Sequence, residues 1–140
     1  MMKIKVMRRS KWLRIPTKAH EEDAGFDIYS PRHFTVEPRG SIFIDTGIHF
    51  EIPRGYVGMI KSKSGLNAKL GLLTEGVIDS GYTGPVGLKI YNNSDDEISI
   101  NKNQKLTQIV FLPIPEVELV EVDELEESER GEGGFGSTGL

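Results

Sequence analysis

Several residue types that would narrow the chemistry are missing or rare in this chain. Cysteine is absent, which excludes disulfides, thiolate nucleophiles and zinc–thiolate sites. The three histidines, His20, His33 and His49, lack the spacing of metal ligands, and we interpret them as surface or structural residues. No apolar run approaches membrane-spanning length and no signal-peptide core is found, so we expect a cytoplasmic protein without a membrane partner.

An excess of positive charge is also lacking. The chain has 17 Lys and Arg against 21 Asp and Glu, a net charge of −4. Because contact with a nucleic-acid backbone requires a basic surface, we expect no nucleic-acid partner. The 140 residues, 37% of them hydrophobic, have the length of one globular domain. An acidic protein of this kind could bind phosphate groups only with local cations, and a metal ion would offset the remaining repulsion.

Short apolar-alternating runs separated by turn sequences make up most of the chain. Their spacing predicts an all-β antiparallel sandwich or barrel. The predicted strands are Ile4–Met7, His33–Val36, Ser41–Ile44, Gly47–Ile52, Tyr56–Lys61, Val86–Tyr91, Ile98–Ile100, Leu106–Leu112 and Glu116–Val120.

One segment has the pattern of a short helix. Ser64 is a capping residue type, Leu66 and Leu70 are four positions apart, and Gly71 closes the run. This order predicts a helix with Ser64 as its N-cap and Gly71 at its C-terminal end.

The C-terminal end differs from the rest of the chain. From Glu121 onward it is acidic and poor in apolar residues, so we expect a barrel domain over residues 1–120 and a flexible arm over residues 121–140. Five of the last ten residues are glycine, beside one Phe, one Ser and one Thr. Glycine backbone, hydroxyls and Arg130 suit phosphate, and Phe135 could stack on a base, so the arm predicts a phosphate-and-base clamp. The alternative is a disordered glycine-rich terminus.

A dinucleotide-binding loop does not explain this arm. Gly131, Gly133 and Gly136 match the G-x-G-x-x-G pattern, but that motif needs a helix after it. Only four residues follow Gly136.

Two polar positions in the first half of the chain are candidates for a phosphate site. Asp27 lies within an apolar run, where it is either a turn or edge aspartate or a carboxylate that holds waters of a magnesium ion. Lys61–Leu66 places two lysines and two hydroxyls at the start of the predicted helix. This segment is either an anion site or an ordinary helix start with solvated lysines.

Two further candidates follow in the second half. Gly76 and the Ser80–Gly81 pair indicate a hairpin, in which Asp79 follows a strand directly, as a fixed general base would. Tyr82 lies across the turn and could wall the same cavity; the alternative is a plain hairpin with a packed tyrosine. Gln108 interrupts an apolar strand, so its amide is either a structural hydrogen-bonding group or a ligand contact.

The order of these motifs resembles a known family. Ala-Gly-Phe-Asp, Lys-Ser-Gly-Leu, Gly-Val-Ile-Asp-x-x-Tyr-x-Gly, a Gln-containing strand and Arg-Gly-x-Gly-Gly-Phe-Gly-Ser-Thr-Gly follow one another from Ala24 to Gly139. They are similar to the five ordered motifs of trimeric dUTP pyrophosphatases (dUTPases). The resemblance implies a jelly-roll-like β-barrel with one short helix and a flexible arm. It also implies a homotrimer whose three active sites are each shared between subunits.

The resemblance further implies a role for each matching residue in hydrolysing dUTP to dUMP and pyrophosphate. Asp79 would be the general base for in-line attack of water on the α-phosphorus, and Asp27 would hold waters of a Mg²⁺ ion chelated by the triphosphate. Tyr82 would stack under the deoxyribose and exclude a ribose 2′-hydroxyl. The remaining expected substrate contacts are Gly76, Val77 and Ile78 for uracil, Lys63, Ser64, Gly65 and Gln108 for phosphates, and Arg130, Phe135, Gly136, Ser137 and Thr138 in the arm.

The chain departs from the family pattern at three places. Lys63 stands where Arg is usual, which keeps the charge but loses the bidentate fork. Asn103–Lys105 replaces Gly-Asp-Arg, which we interpret as a turn change with little catalytic consequence. Phe26 stands where Tyr is common.

Two alternative functions belong to the same fold. A dCTP deaminase or a bifunctional relative would need a glutamate where this chain has Lys89. A regulatory binding module switched by nucleotide would leave no local motif, so the sequence does not exclude it as a second role.

Overall fold

Two four-stranded sheets and one two-stranded sheet form the body of the molecule, beside one short helix, and the all-β prediction is confirmed. The computed structural model describes residues 1–139. Leu140, the last residue of the expected arm, lies outside them. The elements are β1 (Lys5–Arg8), β2 (Phe26–Tyr29), β3 (Phe34–Val36), β4 (Ser41–Glu51), β5 (Tyr56–Ser62), α1 (Ser64–Leu70), β6 (Leu72–Leu73), β7 (Gly76–Ile78), β8 (Pro85–Asn92), β9 (Ile98–Ile100) and β10 (Lys105–Pro113).

The strand orders are β1-β4-β8-β6 in the first sheet, β2-β10-β5-β7 in the second, and β3-β9 in the small one. All pairings between these strands are antiparallel. Along β8 every second residue is buried, from Val86 to Asn92. This period of two directs one face of a strand into the core. Buried side chains from all three sheets belong to one apolar cluster, which includes Ile28, Phe34, Ile90 and Ile109.

The structure joins two of the expected strands into one. Ser41–Ile44 and Gly47–Ile52 both fall in β4, whose pairing with β8 shifts register between Asp45 and His49. Gly47 has φ +67° at this irregularity, a backbone conformation that glycine adopts without steric cost.

The predicted strand at Glu116–Val120 is wrong for the isolated chain. Residues 114–139 contain no strand or helix, and side chains such as Leu119 (95% exposed) have no sheet to cover. The alternation of residues 116–120 predicts a strand, but a strand forms only when a second strand is available to pair with it. Strands β2 and β6 are not among the predicted strands, and β7 is expected only as the strand that precedes Asp79.

The helix is confirmed, but its N-cap is one residue earlier than predicted. Lys63 is the N-cap, without a side-chain capping hydrogen bond, and Ser64 is the first helical residue. Gly71 has φ 72° and its N–H reaches the carbonyl oxygens of Asn67 and Leu66, as expected for a C-terminal glycine. No helix within residues 1–139 combines the length and the apolar character needed to cross a membrane.

We expect Gly71→Ala to lower the free energy of unfolding by about 1–2 kcal/mol, because alanine is strained at positive φ. Gly65→Ala is the matched control: Gly65 lies inside α1, and a methyl group added to it would meet no atom within 4 Å. Alanine at this helical position should be neutral or stabilising. Urea unfolding at one fixed protein concentration compares the two. If both variants lost the same free energy of unfolding, Gly71 would not owe its role to its positive φ.

Candidate active site

Asp79 is held where strand β7 ends. β7 finishes at Ile78, and the N–H of Tyr82 donates to the carbonyl oxygen of Asp79 at 3.1 Å, which closes a turn. The expected position of Asp79 at a strand end is therefore confirmed. The hairpin itself is wrong, because β7 pairs with β5 whereas β8 pairs with β4 and β6. The Asp79–Tyr82 turn passes the chain from one sheet to the other.

An open cleft of about 460 Å³ lies at this turn. Asp79 is exposed, and the Tyr82 hydroxyl donates to the carbonyl oxygen of Pro85 at 2.7 Å, which fixes the ring. The cleft therefore joins a carboxylate, an oriented aromatic ring and apolar walls. Its lining residues are Phe43, Asp45, Val77, Ile78, Asp79, Tyr82, Pro85 and Gly87.

Asp45 is a second carboxylate in this cleft that the sequence reasoning missed. The Gly47 N–H donates to it at 2.9 Å, and Arg9 lies 3.2 Å from its other oxygen. The Gly47 hydrogen bond, and then the Arg9 ion pair, outweigh the desolvation of Asp45 and lower its pKa. The signal for this residue is its place shortly before a glycine inside a strand, which indicates a bulge.

A second cluster forms around Asp27, whose side chain is only 6% exposed. Lys63 contacts one carboxylate oxygen and Lys105 lies 3.2 Å from the other. Burial acts to raise the pKa of Asp27, but the hydrogen bonds and charges of the two lysines outweigh it, so the pKa is lowered. Asp27 is thus a buried ionised group with a cation on each oxygen.

Gln108 lies directly opposite Asp27 in the pairing of β10 with β2. Its Nε2 donates to the carbonyl oxygen of Ser62 at 3.3 Å. Its Oε1 lies so close to Gly25 that a Cβ there would approach it to 2.4 Å. The Gln108 amide therefore has a hydrogen-bond partner in Ser62, and the missing side chain of Gly25 leaves the space that the amide occupies.

Ser64 and Gly65 begin α1 directly after Lys63. The Cβ position of Gly65 faces open space, since outside its chain neighbours and the backbone of α1 no atom lies within 4 Å of it. The structure therefore leaves room for a ligand beside the lysine side of the Asp27 cluster.

The arm is separate from both groups. Phe135 is fully exposed, and the Arg130 Nε donates within the arm to the carbonyl oxygen of Gly133 at 2.7 Å. Gly136, Ser137 and Thr138 are exposed as well. Within residues 1–139, the hydrogen bonds of residues 121–139 all stay inside that segment.

The structure thus divides the expected site residues into three groups. Asp79, Tyr82, Val77 and Ile78 share the cleft, with Gly76 beside them on β7. Asp27, Lys63 and Gln108 come together around β2, with Ser64 and Gly65 next to them. The arm residues meet neither group within one chain.

The donor set does not suit a metal ion held by the protein alone. Within the described residues, 1–139, no three His, Asp or Glu side chains lie close enough together to hold a metal. A carboxylate oxygen accepts more than one hydrogen bond, so Asp27 can keep its lysines and still accept from metal-bound water.

Comparison with known proteins gives the class of this fold and site. The dUTPase family model matches residues 12–139. The deoxyuridine 5'-triphosphate nucleotidohydrolase of Kluyveromyces lactis is 43% identical over 138 residues, which cover 97% of this chain and 93% of that protein. The Saccharomyces cerevisiae protein of the same name is 40% identical, over 97% of this chain and 94% of the other.

Two solved structures give the same result. The dUTPase of Staphylococcus bacteriophage 80alpha, solved with dUPNHPP, superposes with a TM-score of 0.93 at 34% identity and full coverage of both chains. The D95N dUTPase of S. aureus phage phi11, described with a structural Mg(II) ion, has a TM-score of 0.83 at 32% identity. It covers 90% of this chain and 100% of its own.

The fold is the jelly-roll-like β-barrel of nucleotide hydrolases of this kind. The chain belongs to the dUTPase family.

We expect Asp27→Asn to lower the free energy of unfolding by about 1–3 kcal/mol near pH 7, because the two lysines lose their charge partner. The pKa of Asp27 is lowered on folding, so its contribution is complete above the unfolded value of about 3.9 and disappears as pH falls through the folded pKa. The difference between wild type and variant should therefore shrink below about pH 4. Urea unfolding across pH 3–7 measures it.

Asp95→Asn is the control for this experiment, because Asp95 pairs with Arg39 on the exposed surface and exposed pairs contribute little. A difference for Asp27→Asn that stays constant from pH 7 to 3 would contradict the charge pairing.

Proposed function

We propose that Asp79 activates the water that attacks the α-phosphorus of dUTP, releasing dUMP and pyrophosphate. The carrying observation is that Asp79 stands exposed at a strand end closed by a turn, in one cleft with Tyr82. A general base must be fixed and reachable by water, and Asp79 is both. The enzyme class follows from the family, whose members are named for hydrolysing deoxyuridine triphosphate.

Selectivity for uracil would come from the backbone of β7. This strand lies at the edge of its sheet, and among residues 1–139 it pairs with β5 alone. The N–H and C=O groups of Gly76, Val77 and Ile78 on the free side can therefore read the edge of a base. Tyr82, with its ring fixed through Pro85, would lie under the deoxyribose and leave no room for a 2′-hydroxyl.

The phosphates would be bound at the Asp27 cluster. Lys63 and the start of α1, with Ser64 and the Gly65 N–H, would contact phosphate oxygens, and Gln108 would add its amide. Asp27 would hold waters of the Mg²⁺ ion that the triphosphate chelates; when bound, this ion supplies charge neutralisation at the phosphates.

A homotrimer would bring the three groups of site residues together. The exposed segment around the start of the arm supports this proposal, since the apolar side chains of Val117, Leu119 and Leu125 are 77–95% exposed and call for a covering surface. In the assembly, the cleft of one subunit would face the Asp27 cluster of a second, and the arm of a third would close over the nucleotide. Arg130, Ser137 and Thr138 would then contact the γ-phosphate, with Phe135 and Gly136 over the uracil.

We expect Mg²⁺-dependent release of pyrophosphate from dUTP, and little from dTTP, dCTP or UTP. Asp79→Asn should lower kcat by roughly 10²–10⁴-fold, the range for a general base, because it removes the base and keeps the shape. Binding of dUpNHpp, measured by calorimetry, should change little. Asp95→Asn, which changes an exposed partner of Arg39 that does not line the cleft, should turn over dUTP at the wild-type rate. No pyrophosphate from dUTP with the wild-type protein would refute the function.

Truncation after Ser128 should lower kcat/KM by about 10²-fold or more, because the substrate would no longer be enclosed and oriented. Sedimentation should still find a trimer if the barrel faces carry most of the assembly. Glu132→Gln is the control within the arm, as no role falls to Glu132. Full activity without residues 129–140 would rule out the clamp.

A further inference from the structure

We propose that Lys105 is a positioning residue of the phosphate site: through Asp27 it holds Lys63 ready for a triphosphate and keeps the cluster cationic. This inference rests on the proposed function and extends it to a residue without an assigned role. The carrying observation is that Lys63 and Lys105 contact opposite oxygens of one buried carboxylate.

The backbone is built to bring Lys105 to this place. β10 shifts register against β2 between Lys105 and Thr107, so that Lys105 pairs with Tyr29 and Gln108 with Asp27. In a regular strand, residues three apart face opposite sides. The extra residue of the bulge puts Lys105 on the Gln108 side, where Lys105 reaches Asp27, and bulges commonly redirect a side chain in this way.

The preceding turn fixes the start of this bulged segment. Asn103 has φ +68°, and its N–H donates to the carbonyl oxygen of Ser30 at 2.9 Å. The Ser30 N–H in turn donates to the carbonyl oxygen of Gln104 at 2.8 Å. Lys105 therefore starts from a backbone tied to the end of β2, and its contact with Asp27 does not depend on a free loop.

Asp27 itself is held in place between the two lysines. Its N–H donates to the carbonyl oxygen of Thr17 at 2.6 Å and its own carbonyl accepts from the Thr17 N–H at 3.2 Å, while Gln108 lies opposite on β10. One carboxylate between two ammonium groups leaves a net charge of +1. Each ammonium has three donors, and Lys63 uses one of them on Asp27, so it keeps donors for phosphate oxygens. The side chains of Lys63 and Lys105 are 29% and 45% exposed.

Loss of Lys105 should weaken the site in two ways. The cluster becomes neutral, so it attracts a polyanion less strongly. Asp27 then has Lys63 as its only cation and holds it more tightly, so phosphate competes less well for Lys63. Both effects grow with the charge of the ligand, so a triphosphate should lose more affinity than a monophosphate.

The test compares Lys105→Met with Lys105→Arg, which restores charge and donors. Lys102→Met is the matched control: it removes the same charge three residues earlier, where Lys102 lies 4.6 Å from the Trp12 ring and not at Asp27. Calorimetry with Mg²⁺ measures Kd for dUpNHpp and for dUMP. We expect Lys105→Met to weaken binding of dUpNHpp by about tenfold, which is about 1.4 kcal/mol of lost electrostatic attraction, and binding of dUMP by less than about threefold. Kd for both ligands should return toward wild type in Lys105→Arg and stay there in Lys102→Met.

Steady-state kinetics give a second readout. KM for dUTP should rise in Lys105→Met while kcat changes little, as for a contact made equally in ground and transition states. Equal weakening of dUpNHpp and dUMP, an equal effect of Lys102→Met, or a fall in thermal stability with unchanged Kd would each overturn the proposal. If Lys105→Met does not fold, Lys105→Gln removes the charge and keeps a donor.

The two proposals fail separately. If Lys105→Met weakens binding of dUpNHpp but the wild-type protein releases no pyrophosphate from dUTP, the function is refuted and the positioning role is supported. If the protein hydrolyses dUTP but Lys105→Met leaves Kd for dUpNHpp unchanged, the function is supported and the positioning role is refuted.

Discussion

The buried charge of Asp27 is the constraint on which the phosphate end of this molecule depends. An unpaired carboxylate at 6% exposure would cost several kcal/mol, so the fold must bring cations to it. Lys63 directly precedes α1, and Lys105 lies at the bulged start of β10. Three elements distant in sequence are thereby fixed against each other, and their free donors make the site suitable for anions.

The parts of this arrangement that were predictable from sequence are the local ones. Alternation located most strands, Gly71 ended the helix, and Val77-Ile78 before Asp79 placed that carboxylate at a strand end. These signals depend on neighbours within a few residues. The choice of a strand's partner does not depend on such local signals. β7 pairs with β5 rather than with β8, and the sequence of the turn between β7 and β8 does not encode this.

Lys105 shows the same limit within the site. By strict alternation Lys105 and Gln108 face opposite sides, so alternation does not group Lys105 with the phosphate residues, although it lies in the same motif. Only the bulge joins them, and a bulge depends on how β2 is paired. The replacement of Gly-Asp-Arg by Asn103–Lys105 thus keeps a cation where Asp27 needs one.

The acidic composition has a different meaning once the charges are located. Residues 1–115 carry 16 Lys and Arg against 12 Asp and Glu, whereas residues 116–132 carry nine Asp and Glu and a single Arg. The barrel is therefore basic and the negative charge lies on the segment leading to the arm. In the proposed closed state a triphosphate would attract Arg130 and repel the carboxylates of this segment, so that Arg130 and the uncharged residues 133–139 approach it. The net charge of −4 thus comes from residues 116–132, which lead into the arm, and says little about the charge of the site.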